Sequence, residues 1–112
     1  MNQRPPQAPE VGFDELARAL DTGGHLVDVR LPEEYEEMHV PGAVLIPLPE
    51  LAHRAGEVPK GERVYVICAS GGRSLAAAEA LNNAGWNTVS VAGGTKGWAA
   101  DGRPVRSGPE PA

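Results

Sequence analysis

The run Val64-Tyr65-Val66-Ile67 offers no polar face at four successive positions and ends on Cys68. A strand of that kind has to be covered on both sides, and in a chain of 112 residues this predicts a parallel sheet packed between the helices that cross over from strand to strand. The flanking sequence fits. Phe13, Leu16, Ala17 and Leu20 fall at i, i+3, i+4 and i+7, one face of a helix over Phe13 to Asp21 that Gly23-Gly24 ends. His25 to Arg30 reads as a strand finishing in charge, and Pro32 suits the first turn of a short helix whose positive end Glu33 and Glu34 favour. Pro41-Gly42 breaks the chain before a second buried strand, Ala43 to Ile46, and Leu48 to Ala55 reads as a helix or helical turn. Beyond Cys68, Ser74 to Leu81 is an Ala/Leu-rich helix stopped near Gly85. Thr88 to Val91 is a last strand, and Gly93-Gly94 turns into a short helix carrying Trp98. The expected class is α/β, one domain with a central, mainly parallel sheet of four or five short strands flanked by helices. Residues 1–11 and 106–112, rich in proline and poor in apolar side chains, are expected to be loose tails around a domain spanning 12–105.

Composition removes several functions. Ten basic against fifteen acidic side chains leave a formal charge of −5, which argues against nucleic acid, whose polyanion calls for a basic face. One cysteine forbids an intrachain disulfide, and His25, His39 and His53 are too scattered to complete a Cys/His metal cage. The first residues lack the apolar stretch of a secretory signal, and no apolar run approaches membrane-spanning length. The expectation is a soluble protein of a reducing compartment, cytoplasmic, with no metal, no membrane and no nucleic-acid partner.

Chemistry concentrates at Cys68-Ala69-Ser70-Gly71-Gly72-Arg73-Ser74, between the C-terminal end of a buried strand and the start of a helix, where open α/β sheets place their ligands. Gly71 and Gly72 allow a tight turn that points successive N–H groups inward as an anion-binding nest, and the helix start adds its own unpaired N–H groups. A thiol there loses its proton readily. Cys68 is therefore the candidate nucleophile and Arg73 a fixed positive charge for an anionic substrate. A lone cysteine at a strand end is in general a small buried apolar residue. The glycine pair, the arginine and the helix start behind this one give packing no reason to assemble them.

This loop resembles the active-site loop of single-domain rhodaneses: a cysteine, two variable residues, glycine, one variable residue, arginine and serine. Leu26-Val27-Asp28-Val29-Arg30 is similar to the family's Asp-Val-Arg strand end, and Pro32-Glu33-Glu34-Tyr35 with His39-Val40-Pro41-Gly42-Ala43 to the segment before its second strand. Val91 to Gly94 through Gly97-Trp98 to Val105 resembles its closing section. Met38 stands where the family often has glycine. The resemblance implies sulfur transfer from thiosulfate or a similar donor through a persulfide on Cys68 to an acceptor thiol, small or on a protein, or to cyanide, without an organic cofactor. Ala69, Ser70, Gly71, Gly72, Arg73 and Ser74 would cradle the anionic sulfur, with Arg73 on the donor's sulfonate, and Asp28 and Arg30 would be structural supports.

Nearby residues carry plainer readings. Glu33, Glu34, Glu36 and Glu37 read as a solvated helix face, His39 as a hydrogen-bonded turn residue before a proton carrier, and Trp86 and Trp98 as fillers before Trp98 is a wall of the site. Ser74 serves as donor to substrate or as helix cap. Two rivals remain: a cysteine-dependent phosphatase or arsenate reductase, and a non-catalytic rhodanese-like binding module. Phosphatases resembling this fold place five residues between cysteine and arginine; here Ala69 to Gly72 are four.

Overall fold

Alternation along the central strand sorts its side chains into two cores. The computed structural model describes residues 8–112; in it Val64, Val66 and Cys68 join one buried cluster while Tyr65 and Ile67 join the other. The strands are β1 (Glu10–Val11), β2 (His25–Asp28), β3 (Val44–Leu45), β4 (Arg63–Ile67) and β5 (Asn87–Val91). They form one sheet in the order β1-β5-β4-β2-β3, and every pairing is parallel. The helices are α1 (Phe13–Asp21), α2 (Pro32–Glu37), α3 (Leu51–Arg54), α4 (Gly72–Asn83) and α5 (Gly94–Ala100). The first core packs Val27, Val29, Val64, Val66 and Cys68 against Leu51 of α3 and Ala77, Ala78 and Leu81 of α4. The second holds Leu26, Tyr65, Ile67, Val89 and Val91 against Leu16 of α1, Tyr35 of α2 and Trp98 of α5.

Three stretches differ from expectation. The Leu48 to Ala55 helix is one α turn, α3, between 3-10 turns over Leu48–Glu50 and Ala55–Glu57. Pro49 and Gly56, neither a residue of helix interiors, bracket it. The first described residues are part of the sheet: Glu10 and Val11 pair with Ser90 and Val91, Ser90 N–H donates to the Pro9 carbonyl at 2.9 Å, and Ala8 is buried. Two paired residues in a proline-rich stretch are too few to display the alternation that betrays a strand. The rest of that expected tail, residues 1–7, lies outside the described residues. The expected C-terminal tail is tied down. Arg106 and His39 exchange backbone hydrogen bonds of 2.8 Å, Gly108 N–H reaches the Glu36 carbonyl at 2.7 Å, and Gly42 N–H reaches that of Pro111 at 2.9 Å. These bonds occupy backbone groups around α2 that have no helical partner. Among the described residues no helix is long and apolar enough to cross a membrane.

Parallel strands end together, so the segments after β2, β4 and β5 meet at one edge of the sheet. That edge carries Asp28 to Arg30, the cysteine loop and the Gly93-Gly94 turn.

Candidate active site

Gly71 decides the shape of the loop. Its φ of +119° lies in the left-handed half of the map, open to glycine and strained for other residues. The turn it makes aims its own N–H back at the Cys68 sulfur, 3.1 Å away, and starts α4. Ser70 lies in the same loop and Ser74 in the first turn of the helix that the loop begins. Burial pushes the Cys68 thiol up, because an anion loses hydration there. The hydrogen bonds from the Ser74 hydroxyl and the amides of Ser74, Gly71 and Ser70 outweigh it, and the group ends below the ordinary thiol value. The thiolate is the reactive form, so a lowered pKa moves reactivity to lower pH. The midpoint of the pH profile of Cys68 alkylation by iodoacetamide is therefore expected to lie below that of a free cysteine measured alongside; a midpoint at or above it would mean that burial wins.

The loop is braced from the far side. At the start of α5, Thr95 N–H donates to the Cys68 carbonyl at 2.8 Å and Lys96 N–H to the Ala69 carbonyl at 3.0 Å. Both carbonyls are satisfied there, which ties the turn to α5.

Arg73, expected to meet an anionic substrate, has a partner within the chain that the sequence did not reveal. Its Nη1 and Nη2 donate to the two carboxylate oxygens of Glu34 at 2.8 and 2.9 Å, a two-pronged pair across the mouth of the loop. Glu34 also accepts the Leu31 N–H at 2.9 Å. The Arg73 bonds, and against burial the Leu31 amide, hold the Glu34 carboxyl down to about 2, so the pair stays charged at neutral pH. Glu33, Glu36 and Glu37 are exposed as expected; Glu34 alone of the four is drawn into the site. The signal was its place in the first turn of a helix that follows a strand ending at the same sheet edge.

Asp28 and Arg30 lie below the loop, 0% and 4% exposed. Arg30 Nε donates to Asp28 Oδ1 at 3.0 Å and Nη2 to Oδ2 at 2.9 Å, while Nη2 also reaches the Met38 carbonyl at 2.7 Å. Their charges are spent on each other and on the backbone, tying the end of β2 to the end of α2. His39 is fully buried, stacked on Tyr35 with ring centroids 3.8 Å apart, and its Nδ1 and Nε2 face the Tyr35 and Pro111 carbonyls. Trp98 belongs to the core opposite Cys68, its Nε1 donating to the Pro104 carbonyl at 2.7 Å, so it is no wall of the site. Ser74 does not cap α4, whose N-cap is Gly71: its fully buried hydroxyl lies 3.1 Å from the Gly71 carbonyl and 2.8 Å from Ser90 Oγ. Ser90 was missed, although alternation with Val89 and Val91 marks it as a buried polar side chain facing α4.

Comparison with known proteins bears on this geometry. Over residues 13–101 the chain matches the Rhodanese-like domain family. It is 39% identical over 93 residues to YrkF of Bacillus subtilis (strain 168), covering 80% of this chain and 50% of that one, so the chain spans half the length of that relative. Thiosulfate sulfurtransferase PspE of Escherichia coli (strain K12) is 46% identical over 74 residues, covering 64% of this chain and 71% of PspE. Among solved structures, a rhodanese-related protein from Thermoplasma volcanium superposes with a TM-score of 0.82 at 32% identity, covering 88% of this chain and 97% of that one. A parallel sheet with these crossovers, a glycine-turned cysteine loop at its edge and a family match over most of its length together place the chain in the rhodanese-like domain family.

Proposed function

We propose that this protein is a sulfurtransferase that carries a sulfane sulfur on Cys68. The observation that supports the reading best is the left-handed Gly71 turn that donates its N–H to the buried Cys68 sulfur at 3.1 Å, in a loop whose hydrogen-bond donors lower the pKa of that thiol. Neutral packing does not require that arrangement, and an anionic sulfur does. The similarity to a protein named thiosulfate sulfurtransferase agrees with it.

The Cys68 thiolate attacks the outer sulfur of thiosulfate. A new S–S bond forms, the bond to the sulfonate sulfur breaks, and its electron pair leaves with sulfite, so the protein retains a persulfide anion. Cyanide attacking the terminal sulfur leaves as thiocyanate and restores the thiolate; an acceptor thiolate leaves as a persulfide. The amides of Ser70, Gly71 and Ser74 stabilise the anion in both states, with Ala69 and Gly72 shaping the cradle. Arg73, held by Glu34 at the start of α4, meets the sulfonate of the donor by sharing its guanidinium between that group and the carboxylate. Cys68 is 1% exposed, which favours a donor with a narrow terminal sulfur. With no second cysteine in the chain, the persulfide cannot close into an internal disulfide, and the acceptor comes from outside. A reducing compartment such as the cytoplasm keeps Cys68 a thiol between turnovers.

The test is the intact mass after incubation with thiosulfate alone. One added sulfur atom per chain, lost again on cyanide, is the expected result. Rapid hydrolysis of a chromogenic phosphate ester with no sulfur uptake would turn the assignment to a phosphatase, and neither activity would leave a binding module.

A further inference from the structure

The Ser74–Ser90 contact joins two fully buried hydroxyls, one in the first turn of α4 and one on β5, at 2.8 Å. Two hydroxyl protons must be placed there, and the surroundings permit one arrangement. Ser74 Oγ is the single hydrogen-bond partner of Ser90 Oγ among the described residues, whereas Ser74 Oγ also lies 3.1 Å from the Gly71 carbonyl. If Ser74 donated to Ser90, the Ser90 proton would be buried without an acceptor, a costly state. If Ser90 donates to Ser74, both protons are used, and Ser74 is left with its own proton to give. The Gly71 carbonyl already receives the Leu75 N–H at 3.1 Å. The Ser74 proton can therefore leave that carbonyl without orphaning it.

We propose that Ser90 is a positioning residue for the nucleophile: its hydroxyl anchors Ser74 Oγ as a donor, so the Ser74 proton swings from the Gly71 carbonyl to the sulfur of Cys68 whenever that sulfur is anionic. The sulfur is one turn away: the same Gly71 whose carbonyl lies 3.1 Å from Ser74 Oγ donates its N–H to Cys68 Sγ at 3.1 Å. A chain of two hydroxyls ending on an anion polarises along its length, which strengthens the last bond. The charged groups around the loop are Arg73 on α4, paired with Glu34 on α2, the Asp28–Arg30 pair after β2, and Lys96 on α5. None is hydrogen-bonded to either serine, so changing Ser90 leaves that field in place.

This inference rests on Cys68 being the nucleophile, and alkylation tests it without any sulfur chemistry. The pH profile of iodoacetamide alkylation is measured for the full chain, for Ser90→Ala, for Ser74→Ala and for the double variant. Ser90→Ala is expected to move the midpoint up by about half a pH unit, slowing alkylation about threefold on the rising limb. In the Ser74→Ala background the same change is expected to do nothing more. A Ser90→Ala profile superimposable on the parent overturns the proposal, and so does an equal shift with and without Ser74, which would assign the effect to packing. Should Ser90→Ala fail to fold, Ser90→Thr and Ser90→Val, matched in shape and differing in the hydroxyl, decide instead. Thr must react at the lower pH, and identical profiles refute the proposal.

Discussion

Cys68→Ser is expected to take up no sulfur from thiosulfate and to lose at least about a thousandfold in any transfer activity. The substitution changes one atom. Serine's oxygen fits the same space, and the Gly71 N–H at 3.1 Å from the sulfur has an acceptor to reach. The hydroxyl nevertheless stays protonated at neutral pH, and no persulfide can form on it. The fold survives, because the buried hydroxyl replaces a thiol that packs beside Val64 and Val66, at a cost of about 1–2 kcal/mol. Intact mass after thiosulfate reads the chemistry, and circular dichroism the fold. A serine variant that still gained a sulfur atom would locate the carrier elsewhere, and the chain has no other thiol to supply one.

How far the sequence carries this site depends on the range of each contact. The central strand, the Gly71 turn and the nucleophile lie within one stretch of nine residues, and local rules suffice: a two-sided apolar run needs two covering layers, and a glycine after a strand end allows the turn. What escaped is what only the closed fold brings together. Glu34 is 39 residues from Arg73 and Ser90 is 16 from Ser74, and nothing in either local sequence says which acid finds the arginine or which hydroxyl meets the serine. Arg73 was read as an open charge because its partner was taken as part of a wet helix face. β1 escaped because two residues carry no period, and it joins β5 through backbone pairing. The C-terminal segment escaped for a related reason: most of its hydrogen bonds to α2 and His39 use backbone groups, on which side-chain composition is silent.

The largest stability loss is expected at a glycine that touches the site only through the backbone. A Cβ added to Gly94 would stand 2.6 Å from the Cys68 carbonyl oxygen and 2.5 Å from the Ala69 carbonyl carbon, closer still to the Ala69 oxygen. No side chain can swing away to relieve this, because every obstacle is backbone. Gly94 also has a φ of +61°. Left-handed strain and overpacking together give a cost of at least about 3 kcal/mol for Gly94→Ala, a fall of roughly 12 °C or more in the melting temperature. Gly102 supplies the control. Its φ is +78° but a Cβ there meets nothing within 4 Å, so Gly102→Ala should cost about 1 kcal/mol from backbone strain alone. The excess at Gly94 then measures how closely α5 presses on the cysteine loop. Relieving the clash means drawing α5 back, which lengthens the bonds from Thr95 and Lys96 to the Cys68 and Ala69 carbonyls. The loop that aims the amides at the sulfur loosens with them. In the folded fraction of Gly94→Ala, Cys68 alkylation should therefore shift toward the pH of a free thiol, while Gly102→Ala keeps the parent profile. Equal melting temperatures for the two variants would mean that the bracing of the loop by α5 contributes nothing to holding the sulfur's donors in place.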